Sequence, residues 1–197
     1  MLSSSSEEYD SNLSNDDDWV DIFLKGFSKP ILGKVDMMYI DDSFNLFGLA
    51  DIIKEFDRSI QIIRGLAAQR FSETDKTLYY LIHQRYILTK AGLEVMYNLI
   101  NRDIYGRCQR LRCELFPLLP TGLSDYPGKS NTKLFCFQCK ELYESVGELA
   151  KIDGCAFGRT FPHLFSLIYS DFFHETIKTP PYIPRIFGFQ IDSLHHE

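Results

Sequence analysis

Apolar positions recur along this chain in two rhythms, and the change comes near Arg102. Before it, the spacing is helical. Trp19, Val20, Ile22, Phe23 and Phe27 mark a first helix; the acidic run at residues 16–18 offers its N-cap and Ser28-Lys29-Pro30 ends it. VDMMYIDDSFNLFGL reads as a short helix and an irregular apolar crossing. Ile52, Ile53, Phe56, Ile60 and Ile63 form one stripe, which predicts a helix over about residues 50–64 with Gly65 as its C′ residue. SETD at residues 72–75 has the form of a capping box and opens a helix through Leu78, Leu81, Ile82, Arg85 and Tyr86. Thr89 starts another, with Leu93, Met96, Tyr97 and Ile100 on one face. Stripes of this kind predict a helical core rather than a cofactor site. His83, mid-helix, is expected to be packed or hydrogen-bonded and not a ligand.

After Arg102, glycine, proline and aromatics increase and short apolar runs replace the stripes. LPTGLSDYPGKSN carries a turn signal, KLFCF reads as a strand, and KELYESV as another. Pro162 is placed to begin a final short helix in FPHLFSLIYSDFF. TPPYIP is an extended connector to RIFGFQI. That last run alternates as one β-strand does, with Ile186, Gly188 and Gln190 on one side and Phe187, Phe189 and Ile191 on the other.

Four of the five cysteines fall between Cys108 and Cys139, as CQRLRC, a gap of 22 residues, then CFQC. Two close pairs of this kind hold Zn²⁺ tetrahedrally through Cys108, Cys113, Cys136 and Cys139. Four thiolates close the sphere, so such an ion is structural and a metal enzyme is disfavoured. The plain alternatives are two disulfides or four free buried thiols. No secretory segment is seen at the start of the sequence, so a reducing compartment is expected, and there disulfides are disfavoured. Cys155 is left over and reads as a small buried filler.

Composition bounds the rest. A chain of 197 residues holds one ordinary domain or two small ones sharing a boundary. No apolar run approaches the roughly 18 residues of a membrane helix, so no membrane partner is expected. The 14% aromatic share suits packed cores and protein-contact surfaces. The net charge of −6 is unevenly placed. Residues 1–21 carry seven acids and no Lys or Arg, whereas residues 105–140 carry Arg107, Arg110, Arg112, Lys129, Lys133 and Lys140 against Glu114 and Asp125. The Ser-rich head over residues 1–18 reads as a disordered tail. It has a second reading: Ser4 and Ser5 each have a Glu three residues on, the pattern an acidophilic kinase selects by charge. There are no repeats, phosphate-cradling loops, nucleophile elbow, HExxH or kinase triplets.

Taken together, the tetrad, LPTGLSDYPG, DGCAFGRTFPH, PRIFGFQI, DDSFNLFGL and LYYLIHQRYILTKAG resemble the regulatory (beta) subunit of casein kinase II. The resemblance runs from about Trp19 to Ile191. It implies an α+β fold: a helical N-terminal domain (residues 19–103) packed on a small zinc-ribbon antiparallel sheet (104–170), with an extended C-terminal docking segment (171–197). It implies one structural Zn²⁺ per chain on the four cysteines and a homodimer formed by the zinc module. The catalytic (alpha) subunit is then docked by Arg185, Ile186, Phe187 and Phe189, in a tetramer of two regulatory and two catalytic chains. Ser4 and Ser5 become phosphorylation sites, protein substrates become further partners, and the location becomes cytoplasm and nucleus.

The departures from the family pattern are specific. Gln109 and Phe137 stand where prolines usually follow the first and third cysteines. Thr121 and Thr132 replace apolar positions. The acidic loop between the second and third long helices is reduced to GLAAQRFSETD, and only six residues follow Ile191. Two function classes therefore compete. One is a non-catalytic kinase regulator that stabilises catalytic subunits and modulates substrate selection. The other is a zinc-ribbon nucleic-acid binder, supported by a basic module interleaved with Tyr105, Phe116, Tyr126 and Phe135 and opposed by the acidic total charge.

Overall fold

The computed structural model describes residues 18–67, 72–111, 113, 115–174 and 183–190. Helix α1 (Trp19–Lys25) buries Trp19, Val20 and Phe23, with the Trp19 and Phe23 rings stacked at 5.1 Å. The short helix α2 (Met37–Asp41) starts where the Asp36 side chain accepts the Met38 N–H, and a 3-10 turn (Ser43–Leu46) starts where Asp42 accepts that of Phe44.

Helix α3 (Phe56–Ile63) is shorter than the apolar stripe predicts. Glu55 sits in the left-handed region at φ 61°, which no α-helix passes through, so residues 50–54 approach as turns instead. Ile53 still reaches the core from that irregular stretch, while Ile52 is exposed. The C-terminal end follows the prediction. Gly65 takes φ 72°, its N–H donates to Ile62 and that of Leu66 to Gln61, the paired bonds of a Schellman ending.

Helix α4 (Glu73–Tyr86) opens with a full capping box between Ser72 and Asp75. Helix α5 (Lys90–Asn101) is capped by Thr89, which accepts the Gly92 N–H. A side chain at Gly92 would put its Cβ 2.0 Å from the Tyr86 carbonyl oxygen. The glycine is what lets α5 begin directly against the end of α4.

The second half is built on a three-stranded antiparallel sheet in the order β1 (Leu118–Thr121), β2 (Lys133–Cys136), β3 (Glu141–Glu144). The last two were predicted; β1 was not, because it contains Pro120. As an edge strand it tolerates a residue without an N–H. Helices α6 (Phe161–Ile168) and α7 (Ser170–His174) follow. Phe173 reaches back into the core beside Phe116 and Phe165, so part of the predicted C-terminal docking segment packs on the body. The described part of RIFGFQI, residues 185–190, is not one strand. It is a hairpin of β4 (Arg185–Ile186) and β5 (Phe189–Gln190) closed by Phe187 and Gly188, both at positive φ (49° and 86°). Positive φ at both central residues makes a two-residue type I′ turn, whose twist matches paired strands.

One apolar core runs from Trp19 to Phe173 across both halves. Two buried polar contacts pin them together, and a third orients the histidine that makes one of them. The Tyr105 hydroxyl donates to the Ile31 carbonyl at 3.1 Å. His83 Nε2 accepts the Gly33 N–H at 3.0 Å, and Nδ1 lies 2.6 Å from the Ala156 carbonyl. Because Gly33 can only donate, the ring proton is on Nδ1 and the imidazole is neutral. Burial drives its pKa down to about 4. His83 is thus the packed histidine its position predicted. Among the described residues, no helix is long and apolar enough to cross a membrane.

Candidate metal centre

Two tight turns bring the four cysteines together. In the first, the Cys113 N–H donates to Arg110, the Phe116 N–H to Cys113 and the Cys108 N–H to Phe116, with Leu115 in the left-handed region. In the second, Cys136 ends β2 and the chain reverses through Lys140 (φ 60°), whose N–H returns to the Cys136 carbonyl. All four sulfurs lie within 4.8 Å of one another. Cys108 and Cys139 are 3.9 Å apart, as are Cys113 and Cys136. A tetrahedral ion with metal–sulfur bonds near 2.3 Å has sulfur–sulfur edges of about 3.8 Å, so the spacing fits Zn²⁺. A disulfide needs about 2.05 Å, and all five cysteines are free. Cys155 is buried apart from the cluster, the filler its position predicted.

The thiols are poised unevenly. Burial pushes Cys113 up to about 12 and Cys136 higher still. At Cys139 burial works the same way, but hydrogen bonds from the Tyr143 hydroxyl and the Glu141 backbone outweigh it and bring the thiol down to about 6. Four sulfurs this close do not all ionise unless a cation offsets their charge, so metal binding here releases protons.

The departures from the family pattern find local substitutes. Gln109 donates its amide to the Arg107 carbonyl at 3.1 Å. Phe137 packs on Phe173 and carries the Lys140 ammonium 3.2 Å over its ring. Thr121 and Thr132 are buried but satisfied, donating to Gly158 at 3.1 Å and Ile152 at 3.0 Å. Three of the six basic residues of the 105–140 stretch, and Arg159 beyond it, are offset by acids. Arg107 pairs with Asp103 at 2.8 Å, Arg110 with Glu141 at 3.2 Å, Lys133 with Glu144 at 2.6 Å and Arg159 with Asp125 at 3.5 Å. Bases held by neighbouring acids make a poor phosphate track, which counts against the nucleic-acid reading.

The four predicted docking residues lie far from this cluster in sequence and stand together on the hairpin. Arg185, Ile186, Phe187 and Phe189 are all exposed, Phe187 at 97% and Phe189 at 79%. Ser4 and Ser5 lie outside the described residues. Two features escaped the sequence reading. Leu111, Leu142 and Val146 leave apolar side chains exposed on the cysteine module. The Tyr143 hydroxyl stands 3.4 Å from Cys108 Sγ and 3.2 Å from Cys139 Sγ. Only the register of β3 against β2 reveals the second.

An α+β chain with a closed four-thiol cluster and an exposed aromatic hairpin belongs to the class of structural and binding proteins rather than of metal enzymes. Comparison with known proteins narrows this. A family model described as casein kinase II regulatory subunit matches residues 18–190. Casein kinase II subunit beta of Dictyostelium discoideum is 35% identical over 98% of this chain and 75% of its own length. The beta′ subunit of Saccharomyces cerevisiae is 36% identical over 89% of the chain and 72% of its own length. The beta subunit of Schizosaccharomyces pombe is 35% identical over 98% and 85%. The chain belongs to the casein kinase II regulatory subunit family, which is the regulatory and not the catalytic component of that kinase.

Proposed function

We propose that this chain is a zinc-stabilised homodimeric scaffold that binds and stabilises two catalytic (alpha) subunits of casein kinase II and modulates which protein substrates they phosphorylate. The observation that carries the reading is the C-terminal hairpin. It presents Phe187 and Phe189 largely to solvent on a type I′ turn, and aromatic anchors so placed act as binding hot spots when they enter an apolar cleft. The four cysteines hold one Zn²⁺ as a zinc ribbon. The apolar residues beside it, Leu111, Leu142 and Val146, then face a second copy.

In this reading residues 19–103 form the helical domain, 104–170 the metal and dimer module, and 171–197 the docking segment. Residues 1–18 are the acidic head that takes phosphate at Ser4 and Ser5, and the assembly works in cytoplasm and nucleus.

Calorimetric titration of the purified chain into its cognate catalytic subunit tests the reading, repeated with Phe187 and Phe189 both changed to Ala. One catalytic chain bound per regulatory chain, with binding lost in the double variant, supports both function and site. Binding that survives moves the site elsewhere. No binding to the catalytic subunit removes the reading.

A further inference from the structure

The four sulfurs do not share one environment. Cys113 and Cys136 are buried at 4% and 0% exposure, their sulfurs 3.9 Å apart. Cys108 and Cys139 form the edge that β3 passes, and Cys139 alone of the four is half-exposed. A metal site of this kind loses its ion from its accessible edge. Once one thiolate swings away, the remaining three no longer hold the ion closed.

Tyr143 lies on that edge. Its strand is in register with β2, Leu134 opposite Tyr143 and Cys136 opposite Glu141. The ring is therefore carried by the same ladder that positions a ligand. Its hydroxyl is 3.4 Å from Cys108 Sγ and 3.2 Å from Cys139 Sγ, one sulfur from each cysteine pair. Arg110 nearby is turned to Glu141, at 3.2 Å, and among the described residues Tyr143 is the one whose hydrogen bonds span both pairs. As a thiol, Cys108 donates to the Tyr143 hydroxyl; between two thiolates, which can only accept, the hydroxyl becomes the donor and its single proton is shared between them in a three-centre bond. A hydrogen bond to a metal-bound thiolate draws charge from the sulfur and fixes its direction, the role that outer-sphere partners play for other ligands.

We infer that Tyr143 is an outer-sphere clamp on the metal, its O–H bridging the Cys108 and Cys139 thiolates and holding the exposed edge of the tetrad closed. The inference rests on the tetrad being a metal site. It adds a residue that acts on the ion without touching it, and it makes retention of the ion a property of β3 as well as of the two cysteine turns.

The test is Tyr143→Phe in the full chain, which keeps the ring and the strand and deletes the donor. Both proteins are loaded with Zn²⁺ and, separately, with Co²⁺. Zinc transfer to a chromogenic chelator should be roughly 10-fold or more faster in the variant, the lower bound seen when outer-sphere partners of metal ligands are removed. The thiolate-to-cobalt charge-transfer band should move to lower energy, because sulfur without its hydrogen bond is the better electron donor. A merely structural role would not move that band. If the unmodified chain binds neither ion through thiolates, the metal reading fails and the inference falls with it. If it binds both, and the variant matches it in release rate and band position, Tyr143 is only packed there and the inference alone is overturned. Should the Phe variant not fold, a ring-fluorinated tyrosine at 143 preserves the shape with a stronger donor. Slower zinc release is then expected, and an unchanged rate overturns the inference.

Discussion

The cysteine cluster and the C-terminal hairpin are both short, both built on tight turns, and both carry a pair of residues two or three apart. Their surroundings are opposite. Three of the four cysteines are buried, their turns are closed by backbone bonds, and aromatic rings from α6 and α7 back the module. Every strand residue of the hairpin is exposed, and its most exposed apolar side chain, Phe187, sits at the tip. A two-stranded hairpin is marginal in water by itself. The cluster thus needs only an ion to be complete, while the hairpin leaves its apolar surface in solvent, which under the proposed function a catalytic subunit would cover. Within one molecule, the first region is closed on itself and the second is open to solvent.

The sharpest way to break the self-sufficient region is to remove one ligand. Cys136→Ser places a hydroxyl at a fully buried position between β2 and the second turn. Structural zinc contributes roughly 10–16 kcal/mol in small modules, and losing one of four ligands removes much of it. The variant should lose near-UV circular dichroism and sediment as a monomer. A variant still dimeric on sedimentation would refute the assignment of the dimer interface to this module.

The next largest effect concerns the pin between the halves. His83→Leu leaves the Gly33 N–H and the Ala156 carbonyl buried without partners, at about 1–3 kcal/mol each. The wild-type protein should also be pH-sensitive here. The native pKa of about 4 lies below the ordinary 6.5 because burial disfavours the charged ring. The contribution is complete above pH 6.5 and is lost as pH falls from 6.5 toward 4, because the unfolded chain takes up the proton first. The difference of 6.5 − 4 corresponds to about 3 kcal/mol. Urea midpoints at pH 7 and pH 5 should therefore diverge more for the wild type than for the Leu variant.

These two sites also mark what was legible in the sequence. The cysteine pairs, the capping box at Ser72, the Thr89 cap and the Gly65 ending are each set by a few neighbouring residues, and each was readable. Helix α3 was over-extended because Ile52 and Ile53 keep the helical period while the backbone does not. Nothing in a glutamate's side chain announces the left-handed conformation of Glu55. The hairpin passed for a strand because Phe-Gly lacks the Asn-Gly or Asp-Gly signature of a type I′ turn, and alternation alone cannot tell a strand from a hairpin. Tyr143 was invisible for a third reason. Its meaning depends on which residue of β2 lies opposite, a long-range register that spacing within β3 does not encode.

The exposed hairpin should respond in the opposite way to the cluster. Phe189→Ala should leave the thermal midpoint of the isolated chain unchanged, since the side chain is 79% exposed. It should weaken binding to the catalytic subunit by about 2 kcal/mol or more, near 30-fold, if the ring enters a cleft there. A fall in intrinsic stability instead would place Phe189 in the chain's own packing.

The smallest expected effect separates the two things Phe187 does. At φ 49° a phenylalanine is held where L-residues other than Asn and Asp seldom sit, at a cost of about 1 kcal/mol. Phe187→Asn relieves that cost and creates the preferred Asn-Gly turn, so the hairpin should be better formed in the free chain. It also deletes the ring. If the ring is the anchor, affinity for the catalytic subunit falls about as far as in Phe187→Ala, less the part of that 1 kcal/mol recovered by a better-formed turn. If the main-chain shape of the hairpin is what the partner reads, Phe187→Asn binds more tightly than wild type while Phe187→Ala binds more weakly. Titrating the two variants side by side measures the ring and the turn separately, and only a large loss in both assigns the binding energy to the aromatic tip.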